Sequence, residues 1–375
     1  MKKLLILLLA LVLVTGFVGC TSEPEVTEPK PAVEDIEPEP ALEEAPEPEP
    51  VESDATPEDA EAPVSAESED DEEEGEDVTN SKITGALHRI EYGDNVVYLF
   101  GTIHAYREGW TPLAAVVEDA IDRADVFVAE MSGEEMANMD AMIPYVMFLP
   151  DGQTWVEFLP AEAYDHLIEM AEIWGVSYED MNTWHPSFLI QVLAMELSNA
   201  FAPDVAIGVD ASVDGYVVRR AAERGQPTLG LESAAQQIEI LFTPPFEVVV
   251  AQVMALGTPD EMVERMLYVG TMADMAMWYE TNDFQAFQDQ FIREFADIDE
   301  DRPDLLHLRD MLVNFRSTYY AYRIADLLRE TEEPTTFFVA VGISHVIRAM
   351  DGSEGLTDIV EQLGFMGIDA EPLWR

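Results

Sequence analysis

The sequence predicts an α/β fold with a mixed central sheet flanked by helices. A large helical insertion separates two halves that each carry a Gly-x-x-His motif. Residues 100–104 read Phe-Gly-Thr-Ile-His and residues 341–345 read Val-Gly-Ile-Ser-His, and each motif follows a short apolar run. Between them, most of the chain has apolar residues three and four positions apart, which is the spacing of amphipathic helices. Strands that alternate with helices favour parallel pairing in the sheet.

The first elements are two strands, a helix and a third strand. β-Branched and aromatic residues fill 83–90 and 95–100, and the intervening 92–95 read Tyr-Gly-Asp-Asn, which is typical of a hairpin turn. A helix that starts at a proline is predicted over 112–123. A short apolar strand over 125–130 follows it. The second strand, the helix and the third strand form a βαβ unit with a parallel, buried pairing.

The middle of the chain is predicted to be helical, with one return to the sheet. A short strand over 226–232 follows an Arg-Gly pair and interrupts the helices. A second buried strand is predicted over 336–341, and an edge strand over 370–374. The predicted helices after the first βαβ unit cover residues 160–174, 186–200, 211–224, 262–281, 284–295, 305–328 and 355–363.

The first 20 residues have the features of an export signal. Two lysines precede an apolar run over 4–19 that ends at Cys20, and these 16 residues are short for a spanning helix of about 20. The pattern resembles a bacterial lipoprotein signal, in which Cys20 is lipidated; an ordinary signal peptide and an uncleaved anchor are the alternatives. Cys20 is the only cysteine, so neither a disulfide within the chain nor a thiolate metal site can form. We predict a cell-envelope lipoprotein, exported and anchored to a membrane by this lipid.

Composition divides the rest of the chain in two. Residues 21–80 hold 25 Asp and Glu, ten Pro and one basic residue, so they have too little apolar surface to fold and are predicted to be a disordered acidic tether. Residues 81–375 are predicted to be the folded domain. The whole chain has 19 Lys and Arg against 76 Asp and Glu, a net charge of −57, which excludes a nucleic-acid partner. This charge is typical of a strongly hydrated exported protein; a salt-adapted host and attraction of divalent cations are the alternatives.

The candidate site lies in the repeated motif. Gly101 and Gly342 each end a strand, where glycine permits a sharp exit that often has a positive φ. The histidine three positions later, His104 or His345, is then expected at the carboxyl edge of the sheet, where α/β folds bind ligands. Glu130 ends the next strand, so its carboxylate is expected at the same edge. Two imidazoles and a carboxylate are a common ligand set for a divalent metal. The alternative is that each histidine caps a helix or bonds a loop carbonyl.

The order of the motifs resembles the TraB/GumN family, which includes the Tiki-type proteins. The resemblance covers residues 83–375 and implies a metal-dependent, hydrolase-like domain in which the two motif histidines and the glutamate form the metal centre. Tiki proteins are metalloproteases that clip extended N-terminal segments of secreted ligands, and bacterial members related to TraB are linked to shutdown of peptide pheromones. The segments that carry the resemblance are residues 99–104, 124–130, 207–210, 226–232 with 236–237, and 338–345.

Three further residues are candidates for supporting roles. Asp210 follows a Gly-Val turn and starts a helix, so it either supports the site or caps that helix. Glu232 ends the mid-chain strand and either supports the site from behind or makes local hydrogen bonds. The family often has Glu-Arg-Asn before the last long helix, and this chain has Phe315-Arg316-Ser317, so only Arg316 carries over. The other four histidines are predicted to be structural.

The residues leave three functions open. The first is a surface-tethered metal-dependent hydrolase, peptidase-like, that acts on a peptide or small molecule. Imidazole and carboxylate ligands suit Mn, Co, Zn or Fe, and Glu130 acts there as a ligand or as a general base. The second is a protein that binds or sequesters a peptide or small ligand without cleaving it, and the third is an interaction module in which the histidines brace loops. The sequence contains no HExxH motif, Gly-x-Ser-x-Gly elbow or P-loop, so zincins, serine hydrolases and nucleoside triphosphatases have no support.

Overall fold

The computed structural model describes residues 82–149, 152–207, 212–295, 298, 302–347 and 356–374. The predicted signal with Cys20, the predicted tether and Asp210 lie outside the described residues. Within them, the predicted mixed α/β architecture is confirmed. A six-stranded sheet has the strand order β6-β4-β7-β2-β1-β8, and β3 and β5 form a separate antiparallel pair. The strands are β1 His88–Tyr92, β2 Asn95–Thr102, β3 Ala105–Tyr106, β4 Val126–Ala129, β5 Ala206–Ile207, β6 Thr228–Gly230, β7 Thr336–Gly342 and β8 Ala370–Pro372.

Helices cover both flanks of the sheet and fill the insertion. The predicted helix over 262–281 is two helices, because Gly270 has a φ of 131° and Thr271 caps the helix after it. The helices are α1 Ala115–Arg123, α2 Gly133–Met147, α3 Ala161–Trp174, α4 Tyr178–Thr183, α5 Pro186–Phe201, α6 Val213–Glu223, α7 Ala234–Phe242, α8 Phe246–Ala255, α9 Pro259–Val269, α10 Met272–Thr281, α11 Phe284–Phe295, α12 Pro303–His307, a π-helix Leu308–Phe315, α13 Arg316–Glu330 and α14 Ile359–Phe365, with 3₁₀ turns at Trp155–Glu157 and Ile343–His345.

The predicted hairpin is confirmed. Tyr92 pairs with Asn95 across the turn, and Gly93 between them has a φ of 61°. The first strand is shorter than predicted and starts at His88. Gly85 and Ala86 both have a φ of 50°, which breaks the extended backbone before that residue.

The four strands β6, β4, β7 and β2 are parallel, whereas β1 and β8 extend the sheet by antiparallel pairing. The predicted direct pairing of β2 with β4 is wrong, because β7 lies between them. Phe338 of β7 pairs with Tyr98 on one side and Phe127 on the other. β7 is apolar on both faces, as a central parallel strand must be. The strands that precede the two histidines and Glu130 are therefore neighbours.

The sheet core is aromatic and fully buried. Phe338 stacks near Phe100 and Phe127, with ring centroids 5.6 Å and 6.3 Å away. A separate cluster that includes Leu167 and Leu189 fills the insertion helices. Among the described residues, no single helix is long and apolar enough to span a bilayer; α7 and α8 would reach that length only together, as a pair bent by 53°.

Candidate functional site

The two motif histidines and Glu130 lie at the carboxyl edge of three adjacent parallel strands. His104 follows β2 by two residues, Glu130 follows β4 directly, and His345 ends the 3₁₀ turn after β7. Both imidazoles are buried. Glu130 connects the two motifs, since it lines one cavity with His104 and accepts a hydrogen bond from the backbone N–H of Gly342. The ends of these three strands therefore lie side by side at one edge of the sheet.

His104 is held by a carboxylate that the sequence did not reveal. Its Nδ1 lies 3.0 Å from Oδ2 of Asp214, and the Thr102 hydroxyl donates to Oδ1 of the same carboxylate. Asp214 lies in the first turn of α6. Because a carboxylate only accepts hydrogen bonds, Nδ1 of His104 is the donor in this bond.

His345 is held by different partners on α13. Its Nδ1 lies 2.9 Å from the Ser317 hydroxyl, and its ring meets the Tyr320 ring edge to face, with centroids 5.2 Å apart. Burial and the nearby Arg316 guanidinium together lower the pKa of His345 to about 3, although the Glu130 carboxylate opposes this. The imidazole is therefore neutral at physiological pH.

Glu130 is an ionised carboxylate with two partners. Its Oε2 accepts from Nη2 of Arg316 at 2.7 Å, and its Oε1 accepts from the Gly342 N–H at 2.8 Å. Burial disfavours the charged form, but the Arg316 charge, His345 and the Gly342 N–H together lower the pKa of Glu130 to about 2. The side chain is charged across the physiological pH range.

Arg316 joins Glu130 to a second buried carboxylate. Its Nη2 donates to Oε1 of Glu232 at 2.6 Å and its Nε donates to Oε2 at 3.2 Å. Tyr320 and Gln237 also donate to Oε1 of Glu232, at 2.7 Å and 3.1 Å. These carboxylates hold the pKa of the Arg316 guanidinium well above its usual value, although burial opposes this. Glu232 thus supports the site through Arg316 and does not contact either motif histidine.

Neither motif glycine is shown with a positive φ, and only Gly101 is needed for close packing. Gly342 has a φ of −52°, and Gly101 is not among the described residues with positive φ. A Cβ on Gly101 would lie 2.9 Å from the Gly85 carbonyl oxygen and 3.1 Å from Cα of Ile343. On Gly342 it would lie 3.4 Å from the nearest atom, Oε1 of Glu130. The expectation of a positive φ is therefore wrong, and Gly101 is required because two backbone segments touch it.

A π-helix positions the last two site residues. It covers Leu308–Phe315 and passes directly into α13 at Arg316, with Ser317 next. A π-turn changes the rotational phase of the following helix, and such segments are frequent at functional sites. With the rotational phase that α13 has here, Arg316 bonds to Glu130 and the adjacent Ser317 bonds to His345.

The sequence from residue 86 to residue 366 matches the TraB/PrgY/gumN family. The chain belongs to this family. The matched range is about three quarters of the 375 residues and contains both Gly-x-x-His motifs. No curated protein and no solved structure matches the chain.

The TraB/PrgY/gumN fold gathers nearly all the residues proposed from sequence into one cluster. The exceptions are Cys20 and Asp210, which lie outside the described residues. Sequence reasoning missed Asp214, although it stands two residues after Ser212, which caps α6, where an acidic residue in the first turn is common. It also missed Ser317, which was set aside because it departs from the family pattern. The members of the cluster are Gly101, His104, Glu130, Glu232, Arg316, Gly342 and His345, joined by Thr102, Asp214, Gln237, Ser317 and Tyr320.

The donor groups of this TraB/PrgY/gumN domain are of the chemical types that bind divalent metal ions. Nδ1 of each imidazole is bonded to a fixed oxygen partner, the arrangement usual for metal-ligating histidines. Glu130 is ionised and shares the edge with them. In the described ranges, no group of three or more His, Cys, Asp or Glu side chains already has a metal-binding arrangement, and Glu130 is bonded to Arg316.

Proposed function

We propose that the domain is a metal-dependent hydrolase of the peptidase type. The observation that carries this proposal is the hydrogen bonding that the two motif imidazoles share. Each has its Nδ1 bonded to a side-chain oxygen, from Asp214 or Ser317, beside the ionised Glu130. Histidines oriented in this way are typical of metal ligands, and the family resemblance implies the same centre.

His104 and His345 would hold the ion through Nε2, and Glu130 through its carboxylate. Imidazole and carboxylate donors suit Mn, Co, Zn or Fe. Such an ion supplies Lewis-acid polarisation of a carbonyl group and activation of water. Arg316 and the Gly342 N–H keep Glu130 ionised, which is the form that a metal ligand and a general base both require.

The surrounding residues keep these donors in place. Asp214 fixes the tautomer and the ring plane of His104, and Ser317 holds the ring plane of His345. Arg316 keeps Glu130 charged and compensates its charge inside the protein. These bonds are present before a substrate arrives, so the site is preorganised.

Metal analysis of the purified full chain, followed by a peptide-library cleavage screen, tests the proposal. We expect one bound Mn, Co, Zn or Fe per chain, and cleavage that chelation stops and added Mn or Co restores. His104→Ala and His345→Ala should each abolish cleavage with the fold kept, whereas His166→Ala in the insertion should cleave normally. A chain that takes up no metal after loading would refute the proposal.

A Glu130→Gln variant separates the two roles of the glutamate. If Glu130 is a ligand, metal occupancy and rate should fall together. If it is a general base, the metal should stay bound while the rate falls roughly 10²–10⁴-fold. Metal content and rate are measured on the same preparation, so the outcomes are distinct.

The alternative is a protein that binds or sequesters a peptide or small ligand without cleaving it. One observation favours it: both oxygens of Glu130 are already bonded, to Arg316 and to Gly342. Such a protein would retain library peptides with no turnover at any metal concentration. Retention with cleavage would exclude it.

We further propose that the domain is held at a membrane by lipid on Cys20, in the extracytoplasmic part of the cell envelope. The support is the apolar run that ends at this single cysteine. Cys20→Ser should release the protein from membranes or block its processing. Tight membrane retention of an unprocessed Cys20→Ser chain would instead indicate an uncleaved anchor.

A further inference from the structure

An apolar cavity of about 50 Å³ lies against the site. His104, Glu130 and Asp214 form its polar side. Val218, which is 40% exposed on α6, lies on its solvent side. The cavity therefore begins at the candidate metal ligands and continues into apolar surroundings. Its apolar lining includes Phe127, Ala129, Met131, Met136, Val217 and Val218.

The size of the cavity restricts what it can hold. A water-sized group needs roughly 10–15 Å³ of cavity volume. A cavity of about 50 Å³ therefore holds roughly three to four carbon-sized groups. That is the size of a valine or leucine side chain. Aromatic rings and the long side chains of lysine and arginine exceed it.

The lining of the cavity is largely apolar, and its polar side carries two carboxylates. The carboxylates of Glu130 and Asp214 are bonded to Arg316 and Gly342, and to His104 and Thr102. An acidic group would be repelled by these carboxylates, and an amide or hydroxyl that lies against the apolar wall would lose its water without gaining a partner there. Met131 and Met136 adapt their shape to aliphatic groups.

We infer that this cavity binds a short aliphatic side chain of the substrate, next to the bond that meets His104 and Glu130. The inference rests on the proposed hydrolase function and names its substrate class: peptides with valine, leucine or isoleucine beside the cleaved bond. The site then selects by size and apolarity and not by charge. Binding in the cavity also fixes the register of the peptide against the ligands.

Methionine-methyl NMR tests the binding without any cleavage. The full chain is labelled at the methionine methyl groups, and the signals of Met131 and Met136 are assigned with Met131→Leu and Met136→Leu. The probes are the N-acetyl methylamides of valine, leucine, aspartate and tryptophan. We expect saturable shifts of these two signals with the valine and leucine probes only. Equal shifts of the two signals with all four probes, or no shift with any probe, would overturn the inference.

Cleavage of a peptide series that varies one position gives the second test. Val218→Phe should obstruct the cavity and lower kcat/KM for the aliphatic peptides by at least about tenfold. Val156→Phe, the same change at an exposed valine of the insertion, should leave kcat/KM unchanged. Circular dichroism checks that both variants fold.

The two tests separate the inference from the function on which it rests. If no peptide is cleaved while the Met131 and Met136 signals respond to aliphatic probes, the hydrolase proposal fails and the cavity assignment stands. If peptides are cleaved without aliphatic preference and Val218→Phe behaves like Val156→Phe, the cavity assignment fails and the hydrolase stands.

Discussion

Nδ1 of His104 lies 3.0 Å from Oδ2 of Asp214, a residue 110 positions later in the chain. The other oxygen of this carboxylate accepts a hydrogen bond from the Thr102 hydroxyl. Asp214 therefore links the first motif to α6. The equivalent nitrogen of His345 meets the Ser317 hydroxyl instead. The two motif histidines are therefore inequivalent, because a carboxylate makes an imidazole more basic than a hydroxyl does.

Asp214→Asn should weaken metal binding by roughly 10–100-fold, because the amide no longer fixes the tautomer of His104. Isothermal titration with Mn or Zn measures the affinity, and far-UV circular dichroism checks the fold. Asp119→Asn, an exposed aspartate on α1, is the control and should bind metal as the parent does. Equal affinities for the two variants would show that Asp214 does not position His104.

Alanine should lower the stability of the protein at Gly101 and leave it nearly unchanged at Gly342. Gly101→Ala places a Cβ 2.9 Å from the Gly85 carbonyl oxygen, so two backbone segments must separate, at a cost of about 1–3 kcal/mol. In Gly342→Ala, the added Cβ lies 3.4 Å from its nearest atom, and the backbone φ of −52° suits alanine. The free energy of unfolding of this variant should therefore stay within about 0.5 kcal/mol of the parent value. Urea unfolding of both variants measures this, and equal destabilisation would contradict it.

Arg316→Met should destabilise the domain by about 3–5 kcal/mol, because it leaves the buried Glu232 and the partly buried Glu130 without a counter-charge. Adding Glu130→Gln and Glu232→Gln to this variant should restore part of the loss, since no uncompensated charge then remains. Urea unfolding at pH 7 gives both free energies. If Arg316→Met alone were as stable as the parent protein, the carboxylates of Glu130 and Glu232 would have found other partners.

The stability of the insertion should fall as the pH is lowered from about 6.5 to about 4. Burial lowers the pKa of His185 from 6.5 to about 4, so over this range the unfolded chain binds a proton that the folded chain does not. The full effect is about 3 kcal/mol. His185→Asn keeps an acceptor for the Ser187 N–H and should reduce the pH dependence of unfolding by this amount. His345 contributes with the same sign and remains in the variant. An unchanged pH profile would contradict the assignment.

The sequence by itself determined which strand ends carry the candidate site residues. An apolar run followed by glycine marks a strand end locally, and this happens before His104 and before His345. Glu130 directly follows a third such run. Because parallel strands end at a common edge, these local patterns suffice to predict that the three residues share one edge. The edge strand at the C-terminus and the hairpin at Gly93 were likewise predictable, since their signals lie within a few residues.

Only the tertiary structure decided how those residues are held. Asp214 reaches His104 and Thr102 from the first turn of α6, and no pattern near residue 104 records this contact. Arg316 bridges carboxylates that are 84 and 186 residues away, and the π-helix before it sets the phase that brings Ser317 to His345. The insertion of β7 between β2 and β4 is likewise a long-range pairing. Strand ends follow from local spacing, whereas hydrogen-bond partners depend on the packing of segments that are distant in the chain, which local periodicity does not encode.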